Sequence, residues 1–207
     1  MLSTIFGNKN VSERFTLSYG DYSSWIATLG SAPEQIFDPN TGQEDFTEQR
    51  KVSSFLKNWR PEQDWIPQKI CLHFMARGKN RYKSDRIFHN AVGPFFSENA
   101  VAKMRPWLEK EGYVLPLEVM NSDEKFFLWW VPIVEESYDL ARSEKFPNGL
   151  TVKRHAFNQQ KLNGVTAFRP HHLGAYTPQA QGNDCVSNDF RQAWIDAELT
   201  GIKFKLA

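Results

Sequence analysis

Residues 187–206 read SNDFRQAWIDAELTGIKFKL and carry the clearest structural signal in the chain. Ser187 can cap a helix over 188–199, because its hydroxyl can accept a hydrogen bond from a backbone N–H of the first turn. Gly201 is expected to stop that helix, and 202–206 is predicted to be the last strand. Four apolar side chains fall on one stripe of the helix: Phe190, Ala193, Trp194 and Ala197. We therefore expect this C-terminal helix to pack firmly against the core.

A second helix start lies upstream at Ser97, which can cap a short helix over 98–103. Pro106 lacks a backbone N–H and cannot lie inside a helix without removing a hydrogen bond. We therefore expect it to begin a separate helical turn over 106–111. Gly112 is predicted to end that turn in the left-handed conformation.

The segment between the two helices favours strands. Residues 113–119 alternate apolar and polar side chains, which is typical of a half-buried strand, and 126–131 is apolar on both faces. The turn residues at 121–123 join them into a predicted hairpin. Further strands are predicted over 15–19, 70–75, 151–157 and 165–168, and further helices over 21–29, 46–59 and 135–143. Strands mixed with helices of unequal length predict an α+β fold, with short helices packed on a mixed or antiparallel sheet.

The length of 207 residues suits one large domain or two small ones, and either can bury a core. We divide the chain into an N-terminal region, 1–86, whose independence the sequence does not decide, and a second region, 87–207. We expect both to belong to one compact unit, and we find no internal repeat. Cys71 and Cys185 are not in a C-x-x-C pair, so a reduced pair in a cytosolic protein is the simpler expectation.

The net charge of +1 gives no global field that would attract nucleic acid or an anionic membrane. The N-terminal residues lack the pattern of a secretory signal, and the longest apolar run, 126–133, is too short to span a membrane. These features predict a cytoplasmic protein. Aromatic residues make up 14% of the chain, a high share that suits either a core or a protein interface.

Motifs of catalysis are scarce. The sequence contains no glycine-rich phosphate loop, G-x-S-x-G, H-E-x-x-H or C-x-x-C motif, so we expect neither an enzyme nor a cofactor. His171-His172 is the one constellation that could support a small hydrolase-like site, with help from Asp184 or Cys185. Adjacent side chains of a strand point to opposite faces, so a hydrogen-bonded or solvated histidine pair is the simpler interpretation.

A basic stretch runs over 77–86. Its cations are Arg77, Lys79, Arg81, Lys83 and Arg86, with Tyr82 among them. Such a loop could contact phosphates, which leaves a nucleic-acid-binding protein as a further alternative. It could equally bind an acidic protein partner or be a solvated loop.

Two acidic stretches are the opposite case. The first contains Glu44, Asp45 and Glu48, and the second contains Glu135, Glu136 and Asp139. Carboxylates of this kind can steer association with a basic partner and block a basic nuclease cleft. The simpler interpretation is again a solvated face. Trp129-Trp130 belongs at least partly to the core, and one side could form a binding hot spot.

Residues 87–207 resemble the eleventh immunity family of bacterial polymorphic toxin systems. Four segments carry the resemblance: FSE at 96–98 leading to YVLPL at 113–117, SYDLARSE at 137–144, AFR at 167–169, and VSNDF at 186–190 with LTGIKF at 199–204. These motif residues are caps, a stop and core aromatics, and the resemblance assigns none of them a catalytic role.

The resemblance implies an immunity protein that binds and neutralises a cognate secreted antibacterial toxin by occluding its active site. The toxin would be delivered by type VI or contact-dependent secretion and would act in the cytosol. Its gene would lie next to that of the immunity protein. We expect the partner-binding residues among the charges named above: Glu44, Asp45, Glu48, Arg77, Lys79, Arg81, Lys83, Glu135 and Glu136.

Overall fold

The computed structural model describes residues 13–19, 25–29, 54–55, 59–74, 84–87, 93–147, 152–170 and 184–206. Within these ranges two helices and thirteen strands are assigned, which confirms the α+β class. The helices are α1 (Glu98–Glu111) and α2 (Asn188–Asp196). The strands are β1 (Arg14–Tyr19), β2 (Trp25–Leu29), β3 (Gln68–Phe74), β4 (Arg86–Ile87), β5 (Phe95–Ser97), β6 (Tyr113–Val119), β7 (Phe126–Trp130), β8 (Ile133–Val134), β9 (Tyr138–Lys145), β10 (Val152–Phe157), β11 (Ala167–Pro170), β12 (Cys185–Ser187) and β13 (Ile202–Leu206).

The strands form two sheets and a ribbon. The six-stranded sheet has the order β2-β3-β6-β7-β5-β4, and the five-stranded sheet has the order β13-β1-β12-β11-β8. Strands β9 and β10 pair with each other as an antiparallel ribbon. The β3–β6 and β8–β11 pairs are parallel and the other pairs are antiparallel, so both sheets are mixed, as predicted.

The central core joins both helices to one face of each sheet. Met104 and Leu108 of α1 meet Phe190 and Trp194 of α2 there, and all four are almost fully buried. Trp129 of β7 lies parallel to Phe190, with 5.2 Å between the ring centroids. Full burial of each such large apolar side chain contributes about 1.5–3 kcal/mol to folding. The C-terminal helix therefore packs firmly against the core, as its apolar stripe predicted.

Each sheet contains one copy of the same four-stranded unit. In the six-stranded sheet, the strands β6-β7-β5-β4 are all antiparallel, and α1 joins β5 to β6. In the five-stranded sheet, the strands β13-β1-β12-β11 are paired in the same way, and α2 joins β12 to β13. The two units differ in one connection. Strand β7 follows β6 through a hairpin, whereas its counterpart β1 comes from the other end of the chain. The sequence shows no repeat because one strand of the second unit, β1, lies far from the others along the chain.

Two predicted helices are strands, and both predictions are wrong for the same reason. Of the helix predicted over 21–29, residues 25–29 are described and form β2, which pairs along its whole length with β3. The helix predicted over 135–143 is a turn at 135–136, where Glu136 has a φ of 53°, followed by β9. In both places, pairing with a strand outside the local segment overrides the intrinsic preference of the residues.

Helix α1 differs from its prediction at Pro106 and at Gly112. The helix continues through Pro106 because this residue lies on the exposed face, where water can satisfy the carbonyl that loses its partner. Gly112 has an extended φ of −154°, not a left-handed one. Glycine is required there by close approach, since a Cβ would lie 2.4 Å from the Trp130 carbonyl oxygen.

The other predicted strands are present where the structure describes them, with small differences in their ends. Strand β3 and the β6–β7 hairpin lie where they were expected, and Ser97 and Ser187 are the N-caps of their helices. Helix α2 ends earlier than predicted, at Asp196 with Ala197 as its C-cap, so the prediction that Gly201 stops it is wrong. Of the helix predicted over 46–59, residues 54 and 55 are helical, and the Trp59 N–H donates to the Phe55 carbonyl at 2.8 Å. Among the described residues, no helix is both long and apolar enough to cross a membrane.

Candidate partner-binding groove

An open groove of about 670 Å³ lies where α1 ends and β6 begins. Three parts of the chain line it: residues 60–62, residues 109–113, and four residues between Trp130 and Glu135. The last two parts are brought together by the β6–β7 hairpin, in which Tyr113 is directly opposite Trp130. We refer to this feature as the α1–β6 groove.

The apolar surface of the groove rests on a cluster of aromatic rings. Trp59 is 3% exposed and packs edge-on against Trp130 and Tyr113, with centroid distances of 5.5 and 5.8 Å. Tyr113 itself is 47% exposed, and Ile133 across the groove is 43% exposed. Edge-to-face packing restricts the orientation of the Tyr113 ring. The groove therefore presents a held aromatic ring beside an aliphatic side chain.

The rim of the groove is acidic. Four carboxylates (Glu62, Glu109, Glu111 and Glu135) face two cations (Arg60 and Lys110), so the formal charge of the lining is 2 − 4 = −2. The chain as a whole carries +1, so this surface differs in sign from the average. The C-terminal end of α1 adds partial negative charge from carbonyl groups that lack intrahelical partners. The groove is thus complementary to positive charge.

Glu111 and Glu109 make contacts of different kinds. Glu111 accepts hydrogen bonds from the Thr166 N–H and hydroxyl at 3.0 and 2.9 Å, and this contact fastens the end of α1 to the residues before β11. Glu109 forms an exposed pair with Arg105 one helical turn earlier, at 2.6 Å. Glu111 is therefore a structural anchor, whereas Glu109 is a surface group.

The segment that carries Glu62 is a tight turn. The Gln63 N–H donates to the Arg60 carbonyl at 2.9 Å, and the Arg60 N–H donates to the Gln63 side-chain oxygen at 2.9 Å. Just beyond it, the Trp65 indole N–H donates to the Pro116 carbonyl of β6 at 2.8 Å. These bonds hold Glu62, which is exposed, at the edge of the groove.

The structure describes two of the nine predicted partner-binding residues. Glu135 lines the groove, and Glu136 beside it is exposed and pairs with Lys161 at 3.3 Å. Seven others, namely Glu44, Asp45, Glu48, Arg77, Lys79, Arg81 and Lys83, lie outside the described residues. Arg86, the last cation of the basic stretch, is in β4 and only 6% exposed. Its inclusion in a phosphate-contacting loop is wrong, because a buried guanidinium cannot reach a phosphate backbone.

The histidine pair at 171–172 also lies outside the described residues. Asp184, which could have assisted it, is almost fully buried and pairs with Arg169 at 2.9 Å. In the part of the chain that the structure describes, no group of three or more histidine, cysteine, aspartate and glutamate residues could hold a metal ion.

A buried polar cluster lies around β1 and β12 of the five-stranded sheet, close to Glu111 of the groove. The Arg14 guanidinium donates to the Leu162 and Val165 carbonyls, and burial lowers its pKa. Burial raises the pKa of the Cys185 thiol, and the charge of Asp184 raises it further. Burial likewise raises the pKa of the Tyr138 hydroxyl. The Arg14 hydrogen bonds join β1 to the residues that precede β11.

Sequence reasoning identified one lining residue, Glu135, and missed the others that shape the groove. Tyr113 had no detectable signal, since the alternation of 113–119 places it on the same face as the buried Leu115 and Leu117; it is exposed because it is the first residue of its strand. Glu62 had none, because long-range contacts of Trp59 and Trp65 with β6 bring its segment to the groove.

Comparison with known proteins adds no relative. No protein-family model matches the chain, and no curated protein matches it either. The resemblance to an immunity family rests on the four sequence segments alone.

Proposed function

We propose that the protein is an immunity protein of a bacterial polymorphic toxin system. It binds a cognate secreted antibacterial toxin, delivered by type VI or contact-dependent secretion, and occludes the active site of that toxin in the cytosol. It acts through a folded surface, and none of its side chains makes or breaks a bond. The toxin is encoded by the neighbouring gene.

The observation that supports this proposal best is the α1–β6 groove. An exposed tyrosine and isoleucine, backed by buried tryptophans and surrounded by carboxylates, has the composition of a protein-binding hot spot with a charged rim. Enzymes that act on nucleic acids have basic clefts, and a negatively charged surface is complementary to them. The groove also contains Glu135, which the sequence placed among the partner-binding residues.

The fold favours inhibition by a preformed surface. The elements that line the groove are joined by the Glu111–Thr166 contact, the turn at 60–63 and the aromatic cluster around Trp59. Binding through a surface that is already ordered loses less conformational entropy than binding through a segment that must fold.

Co-expression with the product of the adjacent gene tests this function. We expect a complex that survives size-exclusion chromatography, together with loss of the toxin's growth inhibition in cells. A toxin that remains fully active in the presence of excess protein, with no complex formed, would contradict the proposal.

A further inference from the structure

We propose that the α1–β6 groove binds an arginine- or lysine-bearing extended segment of a partner protein, with one cationic side chain lying over the ring of Tyr113. This proposal names the chemistry of the partner at the groove and rests on the proposed function for the identity of that partner. It commits to a protein segment, since the groove combines apolar and acidic surface in one place.

The charge of the groove selects the sign of the occupant. The formal charge of its lining is −2, or −1 when Arg105, the partner of Glu109, is counted with it, and the end of α1 adds the carbonyl end of the helix dipole. A nucleic acid, with a charge on every phosphate, would be repelled by this rim. The same carboxylates would attract a cationic side chain as it approaches and would stabilise it once it is bound.

The aromatic ring selects the shape of the cation. Tyr113 is 47% exposed and is held edge-on against Trp59 and Trp130, so its ring offers a defined surface. A guanidinium or ammonium group over such a ring gains about 0.5–1 kcal/mol at an exposed site. Arginine suits this position best, because its planar group stacks on an aromatic ring while it donates hydrogen bonds to carboxylates at the edge.

The aliphatic side of the groove can bind the methylene stem of such a side chain. Ile133 is 43% exposed and lines the same groove as Glu135. Arginine and lysine bury their methylene stems along apolar surface while the charged end remains near water or a carboxylate. We therefore assign four contacts to one cationic residue of the partner and the residues next to it. These contacts are Tyr113, Ile133 and the two exposed glutamates, Glu62 and Glu135.

Peptide titration followed by NMR tests this inference without the toxin. The probes are a short amidated peptide that alternates arginine and serine, the same peptide with glutamate in place of arginine, and a single-stranded oligonucleotide. We expect saturable shifts of the Trp130 indole and of the Gly112 and Tyr113 amides with the arginine peptide, and an affinity that falls as salt is added. Binding of the glutamate peptide or of the oligonucleotide with equal affinity would overturn the proposal.

Matched variants locate the contact. Tyr113→Ala is expected to weaken binding of the arginine peptide about threefold, and Tyr113→Phe, which keeps the ring, is expected to restore most of it. Glu62→Gln and Glu135→Gln should each weaken binding about twofold to fivefold. Glu118→Gln, an exposed substitution on β6 outside the groove, is the control and should change nothing. Equal binding by the Tyr113→Ala and control variants would overturn the proposal.

The two proposals fail separately. If the protein neutralises the toxin but the peptide does not bind and the groove variants have no effect, the inference about the groove is wrong and the function stands. If the arginine peptide binds in the groove but the neighbouring toxin is neither bound nor inhibited, the groove chemistry stands and the function is wrong.

Discussion

Ser97 and Ser187 make the same hydrogen bonds in the two halves of the molecule. Each hydroxyl accepts the N–H of the third residue beyond it, Ala100 at 3.1 Å and Phe190 at 3.2 Å. Each serine N–H also donates to a carbonyl at 2.8 Å, that of Asp85 in the first unit and that of Thr166 in the second. The duplicated unit is thus repeated at the level of individual backbone contacts as well as strand order.

The two N-caps are expected to differ in their contribution to the free energy of unfolding. Removing a serine N-cap typically costs about 0.5–2 kcal/mol of stability. Ser97→Ala should cost more than Ser187→Ala, because the Ser97 hydroxyl also donates to the Asp85 carboxylate at 3.0 Å. Urea unfolding of the two variants measures the difference in free energy. Ser122→Ala, in the turn before β7, is the control and should stay within about 0.5 kcal/mol of the wild type, because its hydroxyl accepts only a local, exposed hydrogen bond from the Glu124 N–H at 3.2 Å. Equal losses at both caps would contradict the expectation.

The same Asp85 carboxylate makes the stability of the protein depend on pH. Burial alone would raise the pKa of Asp85, but hydrogen bonds from Asn99, Thr200 and Ser97 outweigh burial and hold it below its ordinary value. A carboxyl with a lowered pKa in the folded state stabilises the fold above its unfolded pKa of about 4, and that contribution is lost as the pH falls through the folded value.

Asp85→Asn tests this dependence. The variant should be less stable than the wild type at neutral pH, by about 1–3 kcal/mol, because it loses hydrogen bonds to a charged acceptor. The difference should narrow as the pH is lowered below about 4, where the wild type loses the same contribution. Urea unfolding at several pH values measures it, with exposed Asp123→Asn as the control. A difference that is the same at pH 7 and in acid would contradict the assignment.

Strand β1 is predicted to be essential to the second unit, although it comes from the opposite end of the chain. It lies between β12 and β13, and Leu17 on this strand is 3% exposed in the central core. Leu17→Ala should therefore cost about 2–5 kcal/mol of unfolding free energy, as is usual for a large buried side chain. Thr16→Ala, on the other face of the same strand, should cost much less. Similar small losses for both variants would show that β1 is not an integral strand.

How much of this structure the sequence predicts depends on the range of the interaction that fixes each element. The serine caps and the 113–131 hairpin are decided by neighbouring residues, so their patterns were sufficient. The strands at 25–29 and 138–145 are decided by pairing with β3 and β10, which outweighs their local helical preference.

The residues of the groove could likewise be predicted only where local sequence determines their position. Glu135 was identified from a local acidic stretch, whereas Glu62 and Tyr113 are brought together by the long-range contacts of Trp59 and Trp65. The duplication also escaped detection, because its second central strand, β1, precedes the rest of its unit by more than a hundred residues.

The buried thiols should be unreactive in the folded protein. Cys71 and Cys185 are 1% and 0% exposed, and burial together with the charge of Asp184 raises the pKa of the Cys185 thiol. Because the thiolate is the reactive form, modification by a disulfide reagent at pH 8 should be slow in buffer and fast in denaturant. Rapid modification of the folded protein at either site would contradict the burial described here.

The central claim, inhibition by binding without catalysis, is tested most directly by titrating the activity of the neighbouring toxin with this protein. We predict that residual activity falls linearly and reaches zero at a molar ratio of one to one, as expected for tight occlusion of an active site. The Glu62→Gln, Glu135→Gln double variant should weaken this inhibition. Inactivation of many toxin molecules by one molecule of this protein would require catalytic turnover and would contradict the claim.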